Sequence, residues 1–124
     1  MEWRLLSVEE VIILHDSILG PNELPGLAKD RSLAGALSRV EFRVQYGLID
    51  DAFDLAAMYA VAIAQAHAFN DANKRTAYAA LETILYVHGI SISFQTKEIG
   101  DVMIKVAQGL IDETDLAVWL RTVK

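Results

Sequence analysis

Apolar residues recur at helical spacing along most of this chain, and each run is bracketed by a start or a stop signal. Ser7-Val8-Glu9-Glu10 is a capping box, a hydroxyl followed three residues later by a carboxylate. It opens a helix carrying Val11, Ile12, Leu14 and Ile18 at helical spacing. Gly20-Pro21-Asn22-Glu23-Leu24-Pro25-Gly26 breaks that helix, and both prolines of the chain lie in this loop. A second helix is predicted from Arg31 to Tyr46, stopping at Gly47. A third runs from Asp51 to His67, where Phe53, Leu55, Ala56, Tyr59, Ala60, Ile63 and Ala64 make a broad apolar surface. The fourth covers Asn73 to His88, with Gly89 where a C-terminal cap belongs. Ile90-Ser91-Ile92-Ser93-Phe94 alternates as a strand would, but it is too short to found a sheet and reads as an extended connector. Thr96 is placed to cap a fifth helix ending near Gly109, and Asp112 to cap a sixth holding Leu116, Trp119 and Leu120. No repeat, linker or low-complexity stretch interrupts the pattern. The prediction is one all-α domain over residues 1–124, built from about six helices.

Composition narrows the chemistry. At 124 residues a single core is feasible without staples, and 53% of the residues are hydrophobic, with a mean hydropathy of +0.28. Much of that is Ala, Leu, Ile and Val, which suits close helix packing and leaves room for an apolar surface where a partner sits. Eleven Lys+Arg against 17 Asp+Glu give a net charge of −6. An acidic chain is a poor general binder of nucleic acid, so any anion site must be local. There is no cysteine, which removes disulfides and thiolate metal sites and is compatible with a reducing cytosol. The N-terminus lacks a basic start followed by an apolar core, so it does not read as a signal peptide, and no apolar run approaches membrane length. A cytoplasmic protein without membrane or direct nucleic-acid contact is expected.

The densest chemistry lies in His67-Ala68-Phe69-Asn70-Asp71-Ala72-Asn73-Lys74-Arg75, between the third and fourth helices. His67 reads as the only histidine inside a constellation, and an imidazole can take a proton from a hydroxyl near neutral pH. Asp71 stands four residues on. Were the helix to continue, the two would share a face and could ligate a transition metal. A lone carboxylate suits Mg²⁺ better, because Mg²⁺ keeps its waters and takes other ligands from substrate phosphates. Asn70, Asp71 and Asn73 could equally serve as helix caps. Lys74 and Arg75 fall in the first turn of the next helix, where cations oppose the macrodipole at a cost of roughly a few tenths of a kcal/mol each. A phosphate bound at that N-terminus reverses the sign, with amides and both cations converging on it. Phe69 reads as an anchor inserted into the core. Ala72 is small enough to let a ligand approach the backbone.

This loop resembles the signature of the Fic/Doc family, and most closely its Doc (death on curing) toxin branch. The general Fic signature is His-Pro-Phe-x-(Asp/Glu)-Gly-Asn-Gly-Arg. The chain keeps His67, Phe69, Asp71, Asn73 and Arg75. It departs at Ala68, Ala72 and Lys74, the last two in the Doc manner. Leu14-His15-Asp16, Leu24-Pro25-Gly26, the Arg39/Arg43 helix and the run through Thr76 are also Doc-like, and the likeness weakens after Phe94. The resemblance implies a Fic fold with the active loop between two central helices. It implies a kinase that binds ATP in a flipped orientation and moves the γ-phosphate to a threonine of elongation factor Tu, blocking translation. It implies His67 as general base and Asp71 as Mg²⁺ ligand. Ala72, Asn73, Lys74 and Arg75 would hold and neutralise phosphates, and Leu24-Pro25-Gly26 would contact the protein substrate. Where general Fic loops have Gly, Lys74 adds bulk and charge against the α-phosphate of a conventionally placed nucleotide. No (Ser/Thr)-x-x-x-Glu-(Gly/Asn) inhibitory motif is found, since Ser7 is followed four residues later by Val11. The expected inhibitor is therefore a Phd-like antitoxin segment that folds into a surface groove.

Other readings remain open on sequence. One is an AMP-transferring enzyme on the same fold. Another is a catalytically silent module that holds a nucleotide or partner, which the full set of His67, Asp71, Asn73 and Arg75 disfavours. A ribonuclease toxin is disfavoured by the acidic balance and the lack of a basic or aromatic patch.

Overall fold

Each helix predicted from the periodicity forms in the computed structural model, which describes residues 2–123. They are α1 (Val8–Ile18), α2 (Leu33–Gln45), α3 (Ala52–Ala66), α4 (Asn73–Val87), α5 (Thr96–Ala107) and α6 (Glu113–Val123). Among the described residues there is no strand, only an isolated antiparallel bridge between Leu27 and Phe69. The chain is all-α, as expected.

Local chemistry sets the helix ends. The Ser7 hydroxyl accepts from the Glu10 amide at 3.1 Å while the Glu10 carboxylate accepts from the Ser7 amide at 3.0 Å, completing the capping box. Ser32 caps α2 through Gly35, Asp51 caps α3 through Asp54, and Asp112 accepts from the Asp115 amide. Each cap contributes about 1 kcal/mol. Thr96 does not cap α5. Gln95 takes that position with no side-chain bond, and Thr96 is already helical. Tertiary packing anchors the connector instead: the Phe94 ring lies 5.7 Å from Trp119 and 5.8 Å from Tyr78. At the other ends, Gly47 and Gly89 adopt φ of +69° and +78°, a left-handed region open to Gly. The following amides of Leu48 and Ile90 then reach back to the carbonyls of Arg43 and Leu85, as in a Schellman motif.

α3 is the central element. Eleven of its fifteen residues are buried, the pattern of a helix covered on every side. α2, α4, α5 and α6 all pack on it, and α1 lies against α4. Its alanines, Ala56, Ala57, Ala60 and Ala64, permit close approach of those neighbours. The short 67–72 turn makes α3 and α4 a helical hairpin, with the turn at one end of the molecule. No helix among the described residues is long and apolar enough to cross a membrane.

α6 is clasped to the start of α3 by Arg121, which donates to Asp51 through two nitrogens at 2.9 and 3.0 Å and to Asp54 at 2.8 Å. Burial acts to raise the Asp51 carboxyl, but Arg121 and the Asp54 amide outweigh it and hold it below its ordinary value. A lowered folded-state pKa stabilises above the unfolded value, near pH 4, and that stability fades as pH falls through the folded value. Arg121→Gln is therefore expected to lower the melting temperature at pH 7 by roughly 4 °C, from about 1 kcal/mol for this partly exposed pair. The gap between variant and parent should close below about pH 4. Melting curves showing the same gap at pH 3 and pH 7 would contradict it.

Candidate active site

The turn at the top of the hairpin begins with strain. His67 takes φ +49° and ψ +41°, left-handed backbone in a residue with a full side chain. Such a residue costs about 1–3 kcal/mol and persists only where its surroundings hold it. It also stops α3 at Ala66. The helical continuation that would set His67 and Asp71 on one face therefore does not occur. The His67 side chain is exposed and makes no hydrogen bond within the described residues, so its ring is open to an approaching hydroxyl.

Ala72 is the second left-handed position, with φ +65°, and it is the N-cap of α4 with no side-chain cap. None of the three polar candidates caps this helix; each is used elsewhere. Asn70 donates to the Pro25 carbonyl at 3.0 Å. The Asp71 carboxylate accepts from the Leu24 amide at 2.9 Å. The Asn73 carboxamide accepts from the Phe69 amide at 3.0 Å and donates to the Phe69 carbonyl at 2.9 Å. The first amide of α4 to find a partner is that of Thr76, on the Ala72 carbonyl at 2.9 Å. The amides of Asn73, Lys74 and Arg75 precede it without an acceptor among the described residues, an arrangement suited to an anion.

The turn is held from below by a residue that sequence reasoning assigned no role. His15, fully buried on α1, donates from Nε2 to the Asp71 carbonyl at 2.9 Å. Its Nδ1 faces the Asp16 carboxylate at 3.0 Å. Its ring stacks on Phe69, centroids 3.8 Å apart and planes 6° from parallel. Phe69 inserts into the core at 3% exposure, as expected for an anchor. His67 is therefore not the only histidine in the constellation. A signal was available: Val11, His15 and Ile18 share one face of α1, and a histidine on the buried face of a helix needs partners.

The two cations part company. Lys74 is exposed and forms no ion pair among the described residues. Arg75 donates to the Ile18 carbonyl at 3.3 Å and pairs with Glu23, whose carboxylate also accepts from the Gly20 amide at 2.7 Å. The Gly20 amide first, and Arg75 second, hold the Glu23 carboxyl below its usual range. Glu23 was invisible in sequence as a partner because 52 residues separate it from Arg75. The proline loop then closes the cradle: the Ala28 amide donates to the Ala68 carbonyl at 2.7 Å and the Asn70 amide to the Gly26 carbonyl at 3.1 Å. Among the described residues no cluster of three or more His, Asp or Glu side chains could hold a metal. Asp71 offers one carboxylate, which fits Mg²⁺ better than a metal that wants an all-protein shell.

The family model described as the Fic/DOC family matches residues 5–85, which cover α1 to α3, the turn between the hairpin helices and most of α4. Among curated proteins, "Protein kinase doc" of Escherichia phage P1 is 38% identical over 119 residues, covering 95% of this chain and 94% of the relative.

Proposed function

Because the chain belongs to the Fic/DOC family, we propose that it is a Doc-type protein kinase and the toxin of a toxin–antitoxin pair. Residues 1–124 form one Fic/Doc domain that acts in the cytoplasm. The enzyme moves the γ-phosphate of ATP to a threonine hydroxyl of elongation factor Tu and so blocks translation. The observation that carries this reading is the uncapped N-terminus of α4, whose first three amides have no acceptor among the described residues, in a turn that begins with an exposed histidine.

In the proposed step the threonine O–H gives its proton to the His67 imidazole as its oxygen bonds the γ-phosphorus. The bond from that phosphorus to the bridging oxygen breaks, and ADP leaves with the electron pair. The amides of Asn73, Lys74 and Arg75 hold phosphate oxygens, while Ala72 keeps the approach open. Asn73 contributes its backbone, since its carboxamide holds Phe69. Lys74 and Arg75 offset the accumulated charge, with the phosphates competing against Glu23 for the Arg75 guanidinium. Asp71 is the residue that would hold Mg²⁺, which when bound neutralises phosphate charge. Such chemistry is mostly positioning and electrostatics, which matches a site built from backbone and cations. Leu24-Pro25-Gly26 borders the site and contacts the protein substrate. A Phd-like antitoxin segment, folding on a surface groove, is the inhibitor.

The test is to incubate the protein and elongation factor Tu with ATP labelled at either the α- or the γ-phosphate. Transfer from γ alone is expected. Transfer from α alone refutes the kinase reading in favour of AMP transfer. Lys74→Gly should lose γ transfer and gain some α transfer, since the side chain no longer blocks the conventional nucleotide orientation. Unchanged phosphorylation by that variant rejects the steric account.

A further inference from the structure

We propose that the groove between α2 and α3 docks an acidic, amphipathic segment of the protein that accepts the phosphoryl group, which rests on the transferase reading above. The groove encloses about 500 Å³. Its floor is apolar, from Val40, Met58, Val61 and Ala62, and it reaches Ala66, one residue before His67. Along its α2 wall, Gly35, Arg39 and Arg43 recur every fourth residue over about 12 Å, with Arg31 just beyond the helix start.

Charge and position both point to this occupant. In a chain of net charge −6, Arg43, Arg75 and Arg121 are each bound to carboxylates: Glu113, Glu23, and Asp51 with Asp54. Arg31 and Arg39 have no such partner among the described residues, and both line this one groove. The Arg43–Glu113 pair at 2.9 Å closes its far end, so the unbalanced charge lies at the end nearer His67. A partner that buries apolar side chains on the floor and sets carboxylates against Arg31 and Arg39 matches that wall. Placement also separates it from the phosphates. α4, whose N-terminus would take the nucleotide, contacts α1, α3 and α5, whereas α2 contacts α3 and α1. Nucleotide and acceptor would thus reach His67 from different flanks of the hairpin, as an in-line transfer requires.

Steady-state γ-phosphate transfer to elongation factor Tu tests this, with ATP and acceptor varied separately for the parent, Arg39→Glu, Arg39→Lys and the Arg31→Glu/Arg39→Glu double variant. The expected result is a KM for the acceptor raised about tenfold in Arg39→Glu and further in the double variant. KM for ATP and kcat at saturating acceptor should hold, and Arg39→Lys should recover most of the loss. Unaltered melting temperatures exclude misfolding, as these side chains are exposed. An unchanged acceptor KM overturns the proposal, as it would if the groove serves an inhibitor instead. A raised KM for ATP overturns it in favour of a nucleotide subsite. No transfer by the parent protein, by contrast, removes the transferase reading and this inference with it.

Discussion

His67→Ala should abolish phosphoryl transfer while leaving the fold intact. A positioned general base contributes roughly a hundred- to ten-thousand-fold to such a step. His67 is exposed, makes no hydrogen bond within the described residues and stands after the last residue of α3. Its removal empties no cavity and orphans no buried group, so the melting temperature should move by no more than a few degrees. In cells the parent is expected to arrest growth and the variant to leave it unaffected. Equal arrest by the two at equal expression would mean that catalysis is not the cause, and would favour a module that acts by binding alone.

His15→Ala should do the opposite, costing stability first and activity as a consequence. The ring is fully buried, so truncation leaves a cavity beside Phe69 and strips the Asp71 carbonyl of its donor. Cavity and orphaned carbonyl together are worth about 3 kcal/mol, or roughly a 10 °C fall in melting temperature. The backbone of Phe69 to Ala72 would lose its support from α1, and the amides that follow would no longer be aimed together. KM for ATP should rise even where the protein remains folded at the assay temperature. Full activity together with an unshifted melting temperature would show that the turn holds its shape without α1.

Much of this was legible from local pattern because local chemistry decides it. Ser7, Ser32, Asp51 and Asp112 bond amides three residues ahead, and Gly47 and Gly89 terminate helices by their own φ. The helices they delimit need nothing distant to be found. Phe69 as an anchor was legible too, being one aromatic ring within a polar run. What sequence could not supply were the pairings across the chain. His15 reaches Asp71 over 56 residues, Arg75 finds Glu23 over 52, and Asn70 finds Pro25 over 45. The capping alternative for Asn70 and Asp71 failed for the same reason, since the Pro25 carbonyl and the Leu24 amide hold those side chains, while Asn73 bonds both backbone groups of Phe69 four residues away. That failure is informative. A helix whose first turn holds two cations, with every nearby capping group turned away, is poorly made for its own stability and well made for an anion.

The most direct trial of that claim is a titration of ATP with magnesium into labelled protein, followed residue by residue through its backbone amide resonances. The account predicts saturable shifts concentrated in Phe69 to Thr76, strongest at the amides of Asn73, Lys74 and Arg75, with inorganic chloride producing none. Amide resonances of that turn that stay fixed while ATP is added, or shifts confined to another part of the molecule, would contradict it.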